Sequence, residues 1–435
     1  MAMLDEGVVV KIAFFIAETA DLFAFLESIR PVSLLGPLEH LWHLKSVHGR
    51  ANLWPTLDLS SVDLNLPGNK EAVEAIAKYY SCVSVKDVKD VQWLRAHLSP
   101  NVRLQWSIQA DPSSMQHWNK WCAHHISDLS ITSVNFNSSL LVDTLPQLKR
   151  MKSLALSSLF NDGSWLRHIL AFAATSTHLE SLHLRTRRNS DVTAAMVRDT
   201  ITWFNRQPVR VFYMAKWKWV FDDSLLKQAF FDTIFSCPTL NRLEVLNMSF
   251  AEVDLSSVTL SIKTLRLLDC LMSSQMKTLS TRLQSSKVQI FEMSDRLGAC
   301  YDGFRHLLHH LHLCPSIQSL HLALPRSNRW SWNEFIPLFE SYQISSLKLI
   351  GANFDSHALV LLGDVVRSNL NIPQVEMGGW GLSYADFVNF LHTTTMPKRA
   401  VNIESIQIDG ANFSPTKGRS LIEEAAARGV NLVVI

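Results

Sequence analysis

Apolar residues recur along most of the chain in one short pattern: an apolar residue, two variable positions, then two apolar residues separated by one variable position. Six clear copies start at Leu179, Leu240, Ile262, Ile317, Ile344 and Ile403. Weaker copies start at Trp54, Cys82, Asn101, Ile126, Met151, Val209, Val288, Ile372 and Val430. The copies follow one another about every 27 residues, a period typical of repeat architectures.

Each copy predicts a short strand. Positions 4 and 6 are apolar and position 5 between them is variable, which is the alternation of a strand with one buried face. Positions 9 and 11 are apolar again, as Cys270 and Met272 show. The chain is therefore expected to leave the sheet after the strand while the side chains at these two positions still point inward. Segments with helical spacing, such as residues 356–369 and 416–429, then lead to the next copy.

This spacing resembles the leucine-rich repeat, and the resemblance covers residues of about 54 to 435. Apolar residues or cysteine at position 9 are similar to the repeats of F-box/leucine-rich-repeat proteins. The resemblance implies an α/β fold: a leucine-rich-repeat solenoid of about fourteen to fifteen units, curved like a horseshoe, with parallel strands on the concave face and helices outside.

Residues 1–53 lack the strand pattern and predict three short helices, with Asp21 placed to cap the second. The order of these helices, followed by Leu-Trp, resembles the F-box, although Asp5-Glu6-Gly7-Val8 stands where that family opens with Leu-Pro. The positions that match the F-box pattern are Ile12, Phe15, Ile16, Leu22, Phe25, Leu26, Leu53 and Trp54.

The resemblance implies the substrate-recognition subunit of a cullin-type (SCF) ubiquitin ligase. The matching positions would bind a Skp-family adaptor, which links the chain to the cullin scaffold, and the concave face would bind a target protein. The alternative is a stand-alone repeat scaffold whose N-terminal helices only cap the apolar end of the solenoid.

Position 5 of each copy points outward between two buried positions and marks the expected partner-binding surface. Along the chain it is occupied by His183, Tyr213, Glu244, Arg266, Glu292, His321, Lys348 and Glu376. Position 7 adds Leu246, Leu268 and Ile350. Because neighbouring strands lie about 4.8 Å apart, Arg266 is expected between Glu244 and Glu292. The row is either a surface ion ladder of little consequence or a charge pattern that selects a polypeptide.

The amino-acid composition excludes several classes of protein. Hydrophobic residues are 47% of the 435 residues and charged residues 18%, which excludes a disordered chain. A net charge of +2 gives no electrostatic case for nucleic acid. No apolar run reaches the roughly 18 residues that a membrane span needs, and six scattered cysteines fit a reducing cytoplasmic or nuclear compartment.

No catalytic signature is present, so we expect a protein that is not an enzyme and needs no cofactor or metal. His306 and His310 share a helix face, where a solvated or half-packed face explains them better than a metal site. Trp330 and Trp332 fall outside the repeat pattern and are candidates for an exposed contact.

Overall fold

The computed structural model describes the chain with several gaps. The described residues are 5–30, 35–88, 90–109, 120–132, 138–157, 164–186, 188–272, 274–295, 301–324, 331–351, 354–378, 383–395, 403–409 and 414–434. The chain divides into two compact units, Met1–Arg188 and Asn189–Ile435. The helical segment predicted for residues 1–53 lies inside the first unit, together with the first repeats.

The first unit contains six parallel strands and nine helices among its described residues. The strands are β1 (Leu57–Asp58), β2 (Cys82–Lys86), β3 (Arg103–Ile108), β4 (Ile126–Ile131), β5 (Ser153–Ser157) and β6 (Ser181–Arg185), paired in that order. The helices are α1 (Glu6–Phe15), α2 (Thr19–Ile29), α3 (Leu38–Val47), α4 (Arg50–Leu53), α5 (Pro67–Ile76), α6 (Val91–His97), α7 (Lys120–His125), α8 (Ser138–Thr144) and α9 (Ser164–Thr175). Two 3₁₀ helices, Ala77–Tyr79 and Leu145–Gln147, follow α5 and α8.

The second unit repeats the same arrangement. Its strands are β7 (Ser190–Val192), β8 (Val211–Ala215), β9 (Trp217–Trp219), β10 (Arg242–Leu246), β11 (Thr264–Leu268), β12 (Ile290–Ser294), β13 (Ser319–Leu324), β14 (Ser346–Gly351), β15 (Gln374–Gly378), β16 (Ser405–Asp409) and β17 (Asn431–Val434). Its helices are α10 (Ala194–Arg206), α11 (Ser224–Phe235), α12 (Met276–Gln284), α13 (Tyr301–His310), α14 (Trp332–Phe335), α15 (Ser356–Ser368), α16 (Tyr384–Thr394) and α17 (Pro415–Ala427). The 3₁₀ helices Leu311–Leu313 and Ile336–Ser341 follow α13 and α14.

Nine strands of the second unit, β8 and β10 to β17, form one parallel sheet in chain order, and β7 pairs separately with β9. Positions 4 and 6 form buried rows across this sheet from β8 to β16, because the strands pair without a shift. Leu243, Leu265 and Phe291 are direct neighbours in the position-4 row and are fully buried. The protein is therefore mixed α/β, with long all-parallel pairing that is consistent with a solenoid-like fold.

Two of the weaker copies needed a correction of register. Val83 pairs with Leu57 and Leu104 in the buried row, so the second copy starts at residue 80 and not at Cys82. In the last copy Leu432 faces inward and Val433 is exposed, which shifts its start from Val430 to residue 429. The copy predicted at Asn101 is in register with the copy before it, but the pairing of β3 with β4 shifts between Leu104 and Gln105, so that Trp106 lies beside Leu129.

One repeat of the second unit is irregular. The connection from β10 to β11 contains no helix, although all of its residues are described. Its apolar residues Val253, Leu255, Val258 and Leu260 are nevertheless buried, in a segment of turns and irregular backbone. α11 therefore lacks the helical neighbour that the following repeat would have supplied.

The N-terminal helices α1 to α4 form a small head at the start of the first unit. The buried side of α2 and α3 consists of Leu22, Phe23, Leu26, Leu38, Leu41 and Leu44. α3 packs against α5, the helix of the first repeat. Asp21 lies in the first turn of α2 and does not cap it, because the helix begins earlier, at Thr19. No helix in the described part of the chain is long and apolar enough to cross a membrane.

Candidate protein-binding surfaces

The predicted outward row lies across the sheet of the second unit in continuous register. Tyr213 pairs with Glu244, Glu244 with Arg266, and Arg266 with Glu292. The row continues through His321, Lys348 and Glu376 on the next three strands. A period of about 27 residues in the sequence thus becomes a spacing of about 4.8 Å between side chains.

The charged members of this row are paired with one another. Arg266 lies between two carboxylates: its guanidinium is 3.1 Å from Glu244 Oε1 and also donates to Glu292. Arg242, two residues before Glu244 on the same strand, donates to the same Glu244 carboxylate. His321 Nδ1 lies 3.4 Å from Glu292 Oε2, and the ammonium of Lys348 donates to Glu376. The row is a ladder of alternating charge that neutralises itself.

The pKa values within the ladder follow from this pairing. Burial by itself would raise the pKa of Glu292, but hydrogen bonds from His321 and Arg266, together with their charges, outweigh it and lower the pKa to about 2. Burial would lower the pKa of Arg266, and the hydrogen bond and charge of Glu292 with those of Glu244 raise it. Both groups therefore remain charged at neutral pH.

Two predicted contact residues of this row are not available to a partner. Tyr213 is buried, and Glu244 is buried with its carboxylate bonded to two arginines. These two side chains support the sheet surface and do not form its exposed part. His183 lies on β6 of the first unit, beside Ala155 of β5, and is half-buried.

Position 7 forms a second row beside the ladder. Leu246 and Leu268 are neighbours on β10 and β11, and Ile350 lies on β14, all half-buried. Between Leu268 and Ile350 the row is occupied by Ser294 and Ala323, which pair with each other on β12 and β13. Two small side chains therefore separate the larger apolar ones in this row, and the buried Ser294 donates its hydroxyl to Asp269 at 2.9 Å.

The F-box-like positions include exposed, half-buried and buried side chains. On α1, Ile12 is 41% exposed and Phe15 is 88% exposed, and Val8 continues the same helix face one turn earlier. Ile16 and Phe25 are half-buried. The exposed stripe of α1, formed by Val8, Ile12 and Phe15, is an apolar surface on the head.

The remaining four F-box-like positions need a correction. Leu22, Leu26, Leu53 and Trp54 are buried within the chain, so they belong to the core of the head and are not an exposed contact surface. The apolar periodicity that identified them in the sequence is the same for a core face and for a contact face.

Trp54 connects the head to the first repeat. Its indole N–H donates to the main-chain carbonyl of Ile16 at 2.9 Å, and its ring lies 5.2 Å from that of Phe14 and 5.7 Å from that of Tyr80. The Tyr80 hydroxyl donates to the main-chain carbonyl of Leu53 at 2.7 Å. The head is therefore joined to the repeats by a buried aromatic cluster with two hydrogen bonds.

Other sequence candidates do not form a site. Trp332 is completely buried beside Phe354, which corrects the expectation of an exposed contact, and Trp330 lies outside the described residues. His306 and His310 stack on α13 with ring centroids 4.1 Å apart, and His310 Nδ1 is 2.7 Å from the His306 carbonyl oxygen. Among the described residues no group of three potential ligands could hold a metal ion.

Comparison with known proteins gave no match: no family model matches the chain, and no curated protein is similar enough to it to count as a relative.

Proposed function

We propose that this protein is a non-catalytic leucine-rich-repeat protein that serves as the substrate-recognition subunit of a cullin-type ubiquitin ligase. In this proposal the head is an F-box-like domain that binds a Skp-family adaptor. The sheet face of the second unit, with its charge ladder and the position-7 row of Leu246, Leu268 and Ile350, binds the target protein.

The observation that carries the adaptor part is the exposed stripe of α1. Val8, Ile12 and Phe15 repeat at helical spacing and leave apolar surface exposed on one face of α1, whereas Leu22, Leu26 and Leu53 of the head are buried. Exposed aromatic surface of this kind is typical of interface anchors. The in-register row of Glu292, His321 and Lys348 supports the target part, because charge patterns on a rigid sheet favour selective protein contacts.

The test uses full-length protein and a purified Skp-family adaptor. Phe15→Asp places a charge in the proposed interface without touching the core of the head, whereas Leu22→Asp would disrupt that core. We expect the wild-type protein to co-purify with the adaptor, and Phe15→Asp to weaken binding at least about tenfold in isothermal titration calorimetry, as expected for an aromatic anchor.

Leu225→Asp is the matched control, because Leu225 is 82% exposed on α11 of the second unit. This variant should bind the adaptor like the wild type. The adaptor proposal is wrong if the wild-type protein does not bind, or if Phe15→Asp and Leu225→Asp bind equally well.

A stand-alone scaffold is the second candidate, and the buried connection between head and repeats favours it. Phe14, Trp54 and Tyr80 pack together, and α3 packs on α5, as a terminal cap would. In this case removal of residues 1–50 would expose the first repeat and destabilise the first unit, and no adaptor would bind. Adaptor binding that depends on Phe15 would exclude a purely capping role.

A further inference from the structure

One serine beside the charge ladder has the surroundings of an activated hydroxyl group. Ser319 and His321 share the outward face of β13, because residues two apart on a strand point to the same side. Ser319 Oγ lies 3.0 Å from His321 Nε2. The other ring nitrogen, Nδ1, lies 3.4 Å from Glu292 Oε2 on β12. All three residues are half-buried on the sheet face and are therefore partly open to solvent.

The carboxylate of Glu292 determines which nitrogen of His321 carries the proton. Although burial opposes it, hydrogen bonds from His321 and Arg266 lower the pKa of Glu292 to about 2, so at neutral pH this carboxylate only accepts hydrogen bonds. In neutral His321 the donor is then Nδ1, and the lone pair of Nε2 faces the hydroxyl of Ser319. The three side chains are arranged as a nucleophile, a general base and an orienting carboxylate.

The charges that surround His321 have partners of their own. Glu292 lies beside His321 on β12, and Lys348 lies beside it on β14. The ammonium of Lys348 donates to Glu376, and Arg266 bonds to Glu292 from the next strand. An imidazole can take up a proton near neutral pH. Glu292 would stabilise the imidazolium that forms when the serine hydroxyl gives up its proton.

The two strands that flank Ser319 add a control and a preference. Ser346 occupies the same place on β14, directly beside Ser319, but Lys348 follows it two residues later and cannot accept a proton. The activated arrangement therefore differs between two neighbouring serines of the same row. On the other side of Ser319 lies Ile290 of β12, which is 37% exposed. Apolar surface beside the hydroxyl favours a reagent that carries an apolar group.

The main chain around Ser319 limits which reagents can react. The N–H of Ser319 donates to the carbonyl of Gln289 at 2.9 Å, and that of Ser346 donates to Gln318 at 3.1 Å, so neither can stabilise an oxyanion. Without these donors an ester of the serine forms only from a reagent with a weakly basic leaving group, such as an aryl ester or a thioester. The serine ester has a strongly basic leaving group and should therefore persist.

We propose that Ser319 is a covalent acylation site, in which His321 is the general base and Glu292 a positioning residue, and that it accepts a short apolar acyl group from an activated ester or thioester. Ser319 Oγ attacks the carbonyl carbon while its proton passes to His321 Nε2. The bond from this carbon to the leaving group then breaks, and the leaving group takes the bonding electrons and the proton from the imidazolium. The products are acyl-Ser319 and a free phenol or thiol.

The experiment mixes full-length protein with excess p-nitrophenyl butyrate. Absorbance measures the release of p-nitrophenolate, and mass spectrometry of the intact chain and its peptides locates the butyryl group. We expect a burst of about one equivalent per chain, followed by slow turnover, with the butyryl group on Ser319. Ser319→Ala should abolish the burst. Ser346→Ala is the matched control and should react like the wild type.

Two variants test the roles of the neighbouring groups. His321→Gln should slow the burst at least about tenfold, because it removes the general base. Glu292→Gln should slow it less and should move the pH profile of the rate to lower pH, because the imidazolium loses its carboxylate neighbour. A purely structural role of Glu292 would leave the pH profile unchanged.

The preference for an apolar acyl group is tested with p-nitrophenyl acetate. After correction for the reaction of each ester with free imidazole, the butyrate should react about threefold faster or more, as expected when one methylene group is buried. Ile290→Ser should reduce this difference. Equal corrected rates for the two esters would overturn the assignment to an apolar acyl group.

Thermal unfolding shows whether each variant is folded. The proposal is overturned if the wild type is not acylated, if the butyryl group lies on another residue, or if Ser319→Ala or His321→Gln reacts at the wild-type rate. A burst that survives Ser319→Ala would show that His321 itself reacts. None of these results depends on whether the α1 stripe binds an adaptor.

Discussion

Glu292 is the position at which the charge ladder can be tested most directly. Glu292→Gln removes the negative charge and keeps the size of the side chain. Arg266 is not left unpaired in this variant, because it still bonds to Glu244 at 3.1 Å. The change therefore measures what the carboxylate contributes and does not create a buried, isolated charge.

The magnitude follows from the lowered pKa of Glu292, about 2 in place of 4.5. Each pKa unit corresponds to about 1.4 kcal/mol, which gives about 3 kcal/mol without screening. The side chain is partly solvated, so we reduce the expected loss of stability at pH 7 to about 1 to 2 kcal/mol. For a unit of this size that corresponds to a decrease in Tm of roughly 2 to 6 °C.

The direction of this pKa shift determines how the stabilisation by Glu292 changes with pH. The pKa of Glu292 is lower in the folded state, so its contribution is complete above about pH 4.5 and is lost as the pH falls toward 2. The wild type should exceed Glu292→Gln in stability at pH 7, and the two curves should converge between these pH values. Calorimetric unfolding over a pH series measures both.

Glu423→Gln is the control, because Glu423 is exposed on α17 and makes no ion pair with a described residue. It should change stability by less than about 0.5 kcal/mol. Equal stability of Glu292→Gln and the wild type at pH 7, or a difference that persists unchanged at pH 2, would refute the coupling of Glu292 to Arg266 and His321.

Two further predictions concern buried hydrogen bonds. Tyr80→Phe removes the donor to the Leu53 carbonyl and should lower the stability of the first unit by about 1 to 2 kcal/mol in thermal unfolding. An unchanged Tm would show that this hydrogen bond does not stabilise the connection between head and repeats. Asn369→Leu leaves the carbonyls of Phe339 and Tyr342 without their amide donor. It should lower the free energy of unfolding of the second unit by about 2 to 4 kcal/mol, measured by urea unfolding. A loss below about 0.5 kcal/mol would show that these hydrogen bonds are replaceable.

The sequence predicted the repeats because each strand buries the same two positions. An error of one residue would turn every side chain to the other face, so the strong copies determine their own register. This is why the repeat spacing alone places Arg266 between Glu244 and Glu292. The start predicted at Cys82 was wrong because the apolar residues of this copy allow two starts. Pairing of Val83 with Leu57 and Leu104 selects the earlier one.

Exposure was less predictable than register. Leu22 and Phe15 both lie on amphipathic helices of the head, yet one is buried and the other almost fully exposed. The difference arises from which helices pack together, and helical periodicity alone does not contain that information. Trp332 shows the same limit, because it follows a segment to which the repeat pattern assigns no position.

The ladder and the neighbouring apolar row have different consequences for recognition. In the ladder each carboxylate already has a cationic partner, so a target that used Glu292 or Lys348 would first have to replace an internal bond. The exchange would gain little affinity but would reject partners of the wrong charge. The half-buried side chains of Leu246, Leu268 and Ile350 in the position-7 row have no charged partner to displace, so covering them buries apolar surface directly. Affinity for a target should therefore depend mainly on the position-7 row, and selectivity on the ladder beside it.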